Sequence, residues 1–461
     1  MKLEKVHSVY MIGIGGIGMS ALARWFLHRG IPVSGYDRVE TSLTKKLVSE
    51  GISIHYEDNV DLIDKKFKSV DHTLVVYTPA VPWDHAELSY FNTSGYDLKK
   101  RSEVLGLITR DHYTIAVAGT HGKTTTSSMI AHILNGSMKG CSAFVGGIMT
   151  NYDSNLIVGD ESAPVVVEAD EFDRSFMKLY PDFTIVTSLD PDHLDIYGNA
   201  DSMEQSYIDF MQLTDQNGKI ILHEGVVSQV GTRLARAFTS YGLKSAQIRA
   251  ANIRVENGFF IFDYIGKTEI INIKLELPGF HNVVNAVAAI TAALNQNMEP
   301  ETVKERVENY QGVKRRFEFI IRNKNIVYID DYAHHPSEIE AFLESVRRLF
   351  PQKKITAVFQ PHLYTRTRDF QPGFSKSLAL ADRVLLLDIY PAREQPIEGV
   401  SSDIIFRDLD IEDKTRCRLK DFPNILDQYE LEVLVTIGAG DIDTLVPKIK
   451  EHLNSSENIE A

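Results

Sequence analysis

The stretch Gly119–Ser128 reads GTHGKTTTSS, directly after the apolar run YTIAVA and directly before MIAHIL. A glycine turn, a lysine and a block of threonines at a strand-to-helix junction have the chemistry of a phosphate site. Backbone N–H groups and a helix N-terminus would cradle the anion, Lys123 would reach terminal phosphates, and the Thr124 hydroxyl would ligate Mg²⁺. The spacing departs from the usual P-loop, because Val117 stands where the first glycine is expected. The plainer alternative is a turn capped by threonines.

A second glycine-rich loop, GIGGIGMS from Gly13 to Ser20, occupies the same setting near the N-terminus, with Asp37 after the following strand. Glycines for close approach, a helix N-terminus for pyrophosphate and an acid for ribose make a dinucleotide fingerprint. The pattern fits an NAD-type site, another diphosphate ligand, or no more than a tight turn.

Two acidic clusters follow the lysine loop. VVVEADEFD puts Glu168, Asp170 and Glu171 at the end of a buried strand, and VTSLDPDHLDIYG does the same for Asp190, Asp192, His193 and Asp195. Either cluster alone reads as a solvated turn. Two of them in one sheet with a lysine loop favour a nucleotide triphosphatase centre, since Mg²⁺ prefers oxygen ligands shared with phosphates. DDYAHHPSE is a poor zinc site, because adjacent histidines on an extended chain face opposite sides.

Parallel, doubly wound sheets are what would present such loops. Strand and helix signals alternate from VYMIGIG through MSALARWFLHRG, PVSGYD, TSLTKKLVSEG and TLVVYTPA. A second unit opens at YTIAVAGTHGKTTT and runs through PVVVEAD and FTIVTSL to a strand-rich stretch between Ile220 and Leu277, then to the helix VVNAVAAITAAL. A third begins near FIIRNKNIVYIDDYAHHPSE, where Pro336 and Ser337 mark a helix start and Glu338 suits the helix dipole. The length of 461 residues accords with about three domains, with boundaries near Thr109 and Val313.

Composition narrows the function class. A formal net charge of −14 argues against a general nucleic-acid binder but leaves small anionic ligands open. No apolar run approaches the roughly 20 residues of a membrane span. The short N-terminal apolar run reads as a buried strand rather than a signal peptide. Two cysteines, Cys141 and Cys417, cannot build a disulfide framework, and a reducing cytoplasm is the expected compartment.

The ordered set GIGGIGMS, GTHGKTTT, EADE, DPDHLD, GFHNVVNAVAA, GVKRRFE, DDYAHHPSE, QPHLYTRTRDF and GAGD covers nearly the whole chain. It resembles the Mur ligases of bacterial peptidoglycan synthesis, and most closely their alanine-adding branch. That resemblance implies an α/β, three-domain Mur ligase architecture. Residues 1–108 would form a Rossmann-like domain for the UDP-substrate and 109–313 a central P-loop ATPase domain. Residues 314–461 would form a Rossmann-like C-terminal domain that closes over ATP on the amino-acid side. It further implies ATP-dependent ligation of L-alanine to the lactyl carboxylate of UDP-N-acetylmuramate through an acyl phosphate. ATP and Mg²⁺ are the implied cofactors, in a cytoplasmic monomer or homodimer.

By position, the resemblance assigns Gly15, Gly16, Ile17, Gly18, Met19 and Ser20, with Asp37 and Thr78, to the UDP-substrate. Gly119, Thr120, His121, Gly122, Lys123, Thr124 and Thr125 would form the ATP loop. Thr124 and Glu168 would hold one Mg²⁺, and His193 a second. Asn282 and Asn285 match adenine-side positions, and Arg316 and Asp331 the C-terminal contacts with the nucleotide. His334, His335 and Arg366 would face the amino acid or the acyl centre, the histidines orienting neighbours more than carrying protons.

Two departures bear on the branch. Many Mur ligases carry a carbamylated lysine after the metal histidine, whereas no lysine lies between His193 and Lys219; the alanine-adding branch resembles this lysine-free pattern. Many of that branch have arginine after QPH, where this chain has Leu363, so a carboxylate contact falls to Arg366 or Arg368. An NAD-dependent oxidoreductase would leave GTHGKTTT and EADE without a role. Folylpolyglutamate synthases begin near the P-loop, and the murein-peptide recycling ligase has a first loop less like GIGGIGMS.

Overall fold

The computed structural model describes residues 3–190, 197, 199–256, 258–392 and 394–457. The chain divides into two units, Met1–Glu276 with Phe280–Gln311, and Leu277–Gly279 with Gly312–Ala461.

The first unit holds two sheets. The first is built from β1 (Ser8–Ile12), β2 (Val33–Tyr36), β3 (Ser53–His55), β4 (Thr73–Tyr77) and β5 (Asp97–Lys100), all parallel in the order β3-β2-β1-β4-β5. The N-terminal apolar run is β1, buried at all five positions, as a central strand covered on both faces must be. Helix α1 (Ile17–His28) starts two residues before the apolar pattern suggests, because Gly16 caps it in extended conformation and Ile17 and Gly18 are already helical. Further crossovers run through α2 (Ser42–Ser49) and α3 (Ala86–Thr93), and α4 (Arg101–Arg110) leads from β5 to the second sheet.

The second sheet starts with β6 (Thr114–Ala118), α5 (Lys123–Leu134), the hairpin β7 (Ser142–Met149) and β8 (Ser154–Ile157), then β9 (Val165–Glu168) and β10 (Phe183–Val186). It continues through α6 (Ala200–Gln212), β11 (Lys219–His223), α7 (Glu224–Val230), β12 (Thr239–Gly242), β13 (Ile248–Glu256), β14 (Phe259–Ile265) and β15 (Glu269–Leu275). Helices α8 (Phe280–Asn295) and α9 (Pro300–Glu308) complete the unit. The ten strands run β15-β14-β13-β12-β11-β10-β6-β9-β7-β8. The centre is parallel, and β13–β14–β15 form an antiparallel meander. The strand-rich stretch after Ile220 is this edge.

The two sheets meet at a polar junction. Arg24 of α1, only 7% exposed, donates to both carboxylate oxygens of Glu50 at 2.7 and 3.0 Å, and to Asn155 Oδ1 at 2.5 Å. Asn155, fully buried on β8, donates to the Ile17 carbonyl at 2.5 Å and the Ser20 hydroxyl at 3.0 Å. The β7–β8 hairpin thereby braces the first turn of α1. Arg24→Ala strands the buried Asn155 Oδ1 and leaves the partly exposed Glu50 without its partner, and is expected to cost about 1–2 kcal/mol of stability, read as a lowered melting temperature. An unchanged melting temperature would contradict that weight.

The second unit is one sheet in the order β16-β17-β21-β18-β19-β20. Its strands are β16 (Glu318–Arg322), β17 (Val327–Asp331), β18 (Ile355–Phe359), β19 (Arg383–Leu386), β20 (Lys414–Arg416) and β21 (Val433–Ile437), with only β16 antiparallel. Helix α10 (Pro336–Leu349) buries Ile339, Phe342, Leu343 and Val346, the i, i+3, i+4, i+7 stripe of an amphipathic helix. Among the described residues no helix is long and apolar enough to cross a membrane.

Candidate active site

Both glycine-rich loops lie at the carboxyl ends of parallel strands where neighbouring strands diverge, the place such sheets bind ligands. In the first sheet the loop leaves β1 beside β4. Gly13 has φ +84°, and a Cβ there would lie 2.4 Å from Thr78 Cγ2, so the glycine lets the loop pass the end of β4. The Gly15 N–H donates to Asp37 Oδ2 at 2.7 Å, and Asp37 also accepts from Val39 N–H at 3.3 Å. The acid thus holds the shape of the loop. Met19 and Ser20 are buried, and the Ser20 hydroxyl donates to the Ile17 carbonyl at 2.8 Å. Helix geometry then leaves the N–H groups of Ile17, Gly18 and Met19 without intrahelical partners and suited to an anion.

The second loop joins β6 to α5 and is clipped to the residues after β10. Gly119 has φ +133°, and a Cβ there would sit 2.1 Å from Thr187 Oγ1 and 2.8 Å from Ser188 N. Ser188 Oγ pairs with Thr120 Oγ1 at 2.9 Å and accepts the His121 N–H at 2.8 Å. Gly122, at φ +83°, is the N-cap of α5. Gly119→Ala would add both backbone strain and overlap and is expected to cost about 2 kcal/mol of stability, read as a lowered melting temperature. An unaltered melting temperature would contradict the close approach.

At the head of α5, Lys123 Nζ donates to the Gly119 carbonyl at 2.6 Å and to Glu171 Oε1 at 2.8 Å. Glu171 is 2% exposed; burial pushes its carboxyl up, and the Lys123 charge opposes that shift. Glu168, the last residue of β9, accepts from the Thr124 hydroxyl at 3.1 Å, the Ser127 hydroxyl at 3.2 Å and the Gly146 N–H at 2.5 Å. A carboxylate and a hydroxyl side by side at a helix N-terminus form an oxygen donor set of the kind Mg²⁺ takes beside phosphates. Thr125 lies half-buried in the first turn of α5. Behind that helix, Asn285 accepts the Thr126 hydroxyl at 3.1 Å and donates to Asn282 Oδ1 at 3.2 Å. The structure thus brings Lys123, Thr124, Glu168 and Asn285 to one helix, with Asn282 bonded to Asn285 behind it. His193, with Asp192 and Asp195, lies outside the described residues.

In the second unit, Asp331 ends β17 and accepts the N–H groups of Phe317 and Ala333 at 2.6 and 2.8 Å. Burial pushes its carboxyl up, and the charge of nearby Arg316 pulls it down. His334 Nδ1 lies 3.1 Å from the Tyr332 carbonyl oxygen, and its ring stands 6.1 Å from that of His362. His362 lies 3.4 Å from Arg366 Nη1 and stacks on Tyr390. Burial, Arg366 and His334 push His362 down to about 4, and burial also lowers His334. Both rings are neutral near pH 7 and orient partners better than they take protons.

His335 is differently employed: it caps α10, its Nδ1 accepting from the Ser337 hydroxyl at 2.7 Å and N–H at 3.4 Å. Arg366 joins the histidine cluster, whereas Arg368 is paired with Asp369 at 2.7 Å. Leu363 holds φ +70°, a costly conformation for a non-glycine residue, between His362 and the helix that carries Arg366. Sequence reading missed His362, Ser127 and Gly146. Only His362 carried a signal, the QPH triplet.

Three family models match in order: the Mur ligase family catalytic domain over residues 8–113, the Mur ligase middle domain over 117–293, and the Mur ligase glutamate ligase domain over 315–447. The UDP-N-acetylmuramate–L-alanine ligase of Phocaeicola vulgatus is 48% identical across 98% of this chain and 100% of its own length. That of Cytophaga hutchinsonii is 46% identical across 98% and 97%. Among solved structures, the UDP-N-acetylmuramate–alanine ligase MurC of Thermotoga maritima superposes with a TM-score of 0.83 at 29% identity, covering 97% of this chain and 99% of that one. The murein peptide ligase of Psychrobacter arcticus shares the fold, with a TM-score of 0.68 at 22% identity over 96% and 98% of the two chains.

Proposed function

The chain belongs to the Mur ligase family, and from that premise we infer that it joins L-alanine to the lactyl carboxylate of UDP-N-acetylmuramate at the expense of ATP. The carrying observation is the pair of phosphate loops on adjoining sheets of one unit, one beside Thr78 and one armed with Lys123 and Glu168. Two anion sites are what a nucleotide-sugar and a nucleoside triphosphate need when they must react with each other. Near-full-length identity of 48% to an enzyme named for this ligation supports the reading.

A carboxylate does not acylate an amine at neutral pH, because its oxygen leaves poorly. Transfer of the ATP γ-phosphoryl to that oxygen gives an acyl phosphate, and attack by the alanine nitrogen then expels phosphate. Lys123 stabilises charge spreading over the equatorial oxygens. Gly119 and Gly122 let the loop backbone approach the phosphates, and Asn282 and Asn285 support the helix beneath them. Thr124 and Glu168 would hold Mg²⁺, which when bound supplies charge neutralisation for the polyphosphate. The first loop, with Gly15 to Ser20, Asp37 and Thr78, takes the UDP moiety. Within the second unit, Arg316 and Asp331 are the residues assigned to the nucleotide, and His334, His362 and Arg366 those assigned to the amino acid. Residues 1–108, 109–313 and 314–461 are the corresponding domains, and the UDP-linked substrate places the enzyme in the cytoplasm.

Phosphate release with ATP and UDP-N-acetylmuramate, compared across alanine, glycine and serine, tests this reading. Alanine should drive stoichiometric release. Glycine, lacking one methyl group, should fall about 10- to 200-fold in kcat/KM. Equal values for glycine and alanine would contradict the amino-acid assignment.

A further inference from the structure

We propose that Arg101 is the cation that receives the diphosphate of the UDP-sugar, a role that rests on reading the first loop as the UDP site. Arg101 opens α4 directly after β5. Its side chain lies across the first turn of α1, where a Cβ on Gly18 would stand 2.9 Å from Arg101 Cδ and Nη1 and 3.1 Å from Nε. Gly18 is therefore the notch in which the guanidinium rests, beside the N–H groups that helix geometry leaves for an anion. At its other end, Nη2 reaches Asp170 Oδ2 at 3.3 Å. Arg101, Glu168 and Asp170 also line one cavity of about 10 Å³, room for about one water.

A single long contact between partly exposed groups, 28% and 42% exposed, contributes little by itself. It does not account for a guanidinium seated against the first loop. Charge supplies the reason. The neighbouring wall carries Glu168, Asp170 and Glu171, which would repel a diphosphate, and Lys123 is committed to the second loop and Glu171. The adjacent cation Lys100 is paired with Asp173 at 3.1 Å. A guanidinium fork suits phosphate oxygens better than a carboxylate met through one nitrogen. Asp170 therefore holds Arg101 until the diphosphate replaces it.

Calorimetric titration of the full chain with UDP, and separately with ATP, tests the assignment. Arg101→Ala should weaken UDP binding about 10- to 100-fold while ATP binding stays within about twofold of wild type. Asp170→Asn should bind UDP at least as tightly as wild type. Arg101→Gln, which keeps length without charge, is read in the same way as Arg101→Ala should the alanine variant fail to fold. UDP affinity equal to wild type in the Arg101 variants overturns the proposal, as do equal losses in the Arg101 and Asp170 variants, which would mark a merely structural pair. Failure of the wild-type chain to bind UDP would overturn the reading of the first loop itself.

Discussion

Lys123→Ala is expected to lower the rate of ligation about a thousandfold while leaving UDP-substrate affinity nearly unchanged. Lys123 sits at the head of α5 with its ammonium 2.6 Å from the Gly119 carbonyl, inside the loop that approaches the phosphates. Removing one preorganised charge from a developing phosphoryl transition state typically costs about 10²- to 10³-fold in rate. The first loop stands on a different sheet and should keep its ligand. The substitution also strands Glu171, which is buried and paired with Lys123 at 2.8 Å. Because burial already raises that carboxyl, protonation relieves the stranded charge, and the variant should fold. Steady-state phosphate release and UDP titration together check both halves. Ligation above a few per cent of wild type would contradict the role given to the lysine.

Glu168→Gln should cost about 10²-fold in kcat and raise the Mg²⁺ concentration needed for half-maximal rate. Three donors converge on this carboxylate: the Thr124 and Ser127 hydroxyls and the Gly146 N–H. An amide offers one acceptor oxygen in place of two, so its NH₂ must face a donor on one side, and the charge that draws a cation is lost. Space is tight as well, since a Cβ on Gly146 would lie 2.6 Å from Glu168 Oε2. Magnesium titrations of turnover separate the effects. Unchanged rate and metal dependence would show that Glu168 only braces the hairpin.

Much of this arrangement is legible in the residues because it is local. The runs YTIAVA and PVVVEAD become β6 and β9, whose four or five positions are buried or nearly so, and the loops and acids that matter lie at the ends of such strands. Legibility fades where the cause is remote in sequence. The strands SIH and DLKK sit at sheet edges, half-buried or exposed, and their polar sequences carry no apolar period. Asp37 fits a ribose ligand by position, yet it accepts the Gly15 N–H, an outcome set by how β2 meets the loop. Gly18 looks like a fingerprint glycine, but its missing Cβ makes room for Arg101, which no spacing rule links to it. His335 looks as eligible as His334 until the helix it caps is seen.

Ligation turns on activation of the sugar's carboxylate by phosphoryl transfer. The most direct measurement uses UDP-N-acetylmuramate labelled with ¹⁸O in the lactyl carboxylate, turned over with ATP, Mg²⁺ and L-alanine, with the released phosphate analysed by mass. One labelled oxygen should appear in each phosphate formed. Phosphate free of label, alongside amide product, would show that the acid is never phosphorylated and would contradict the mechanism.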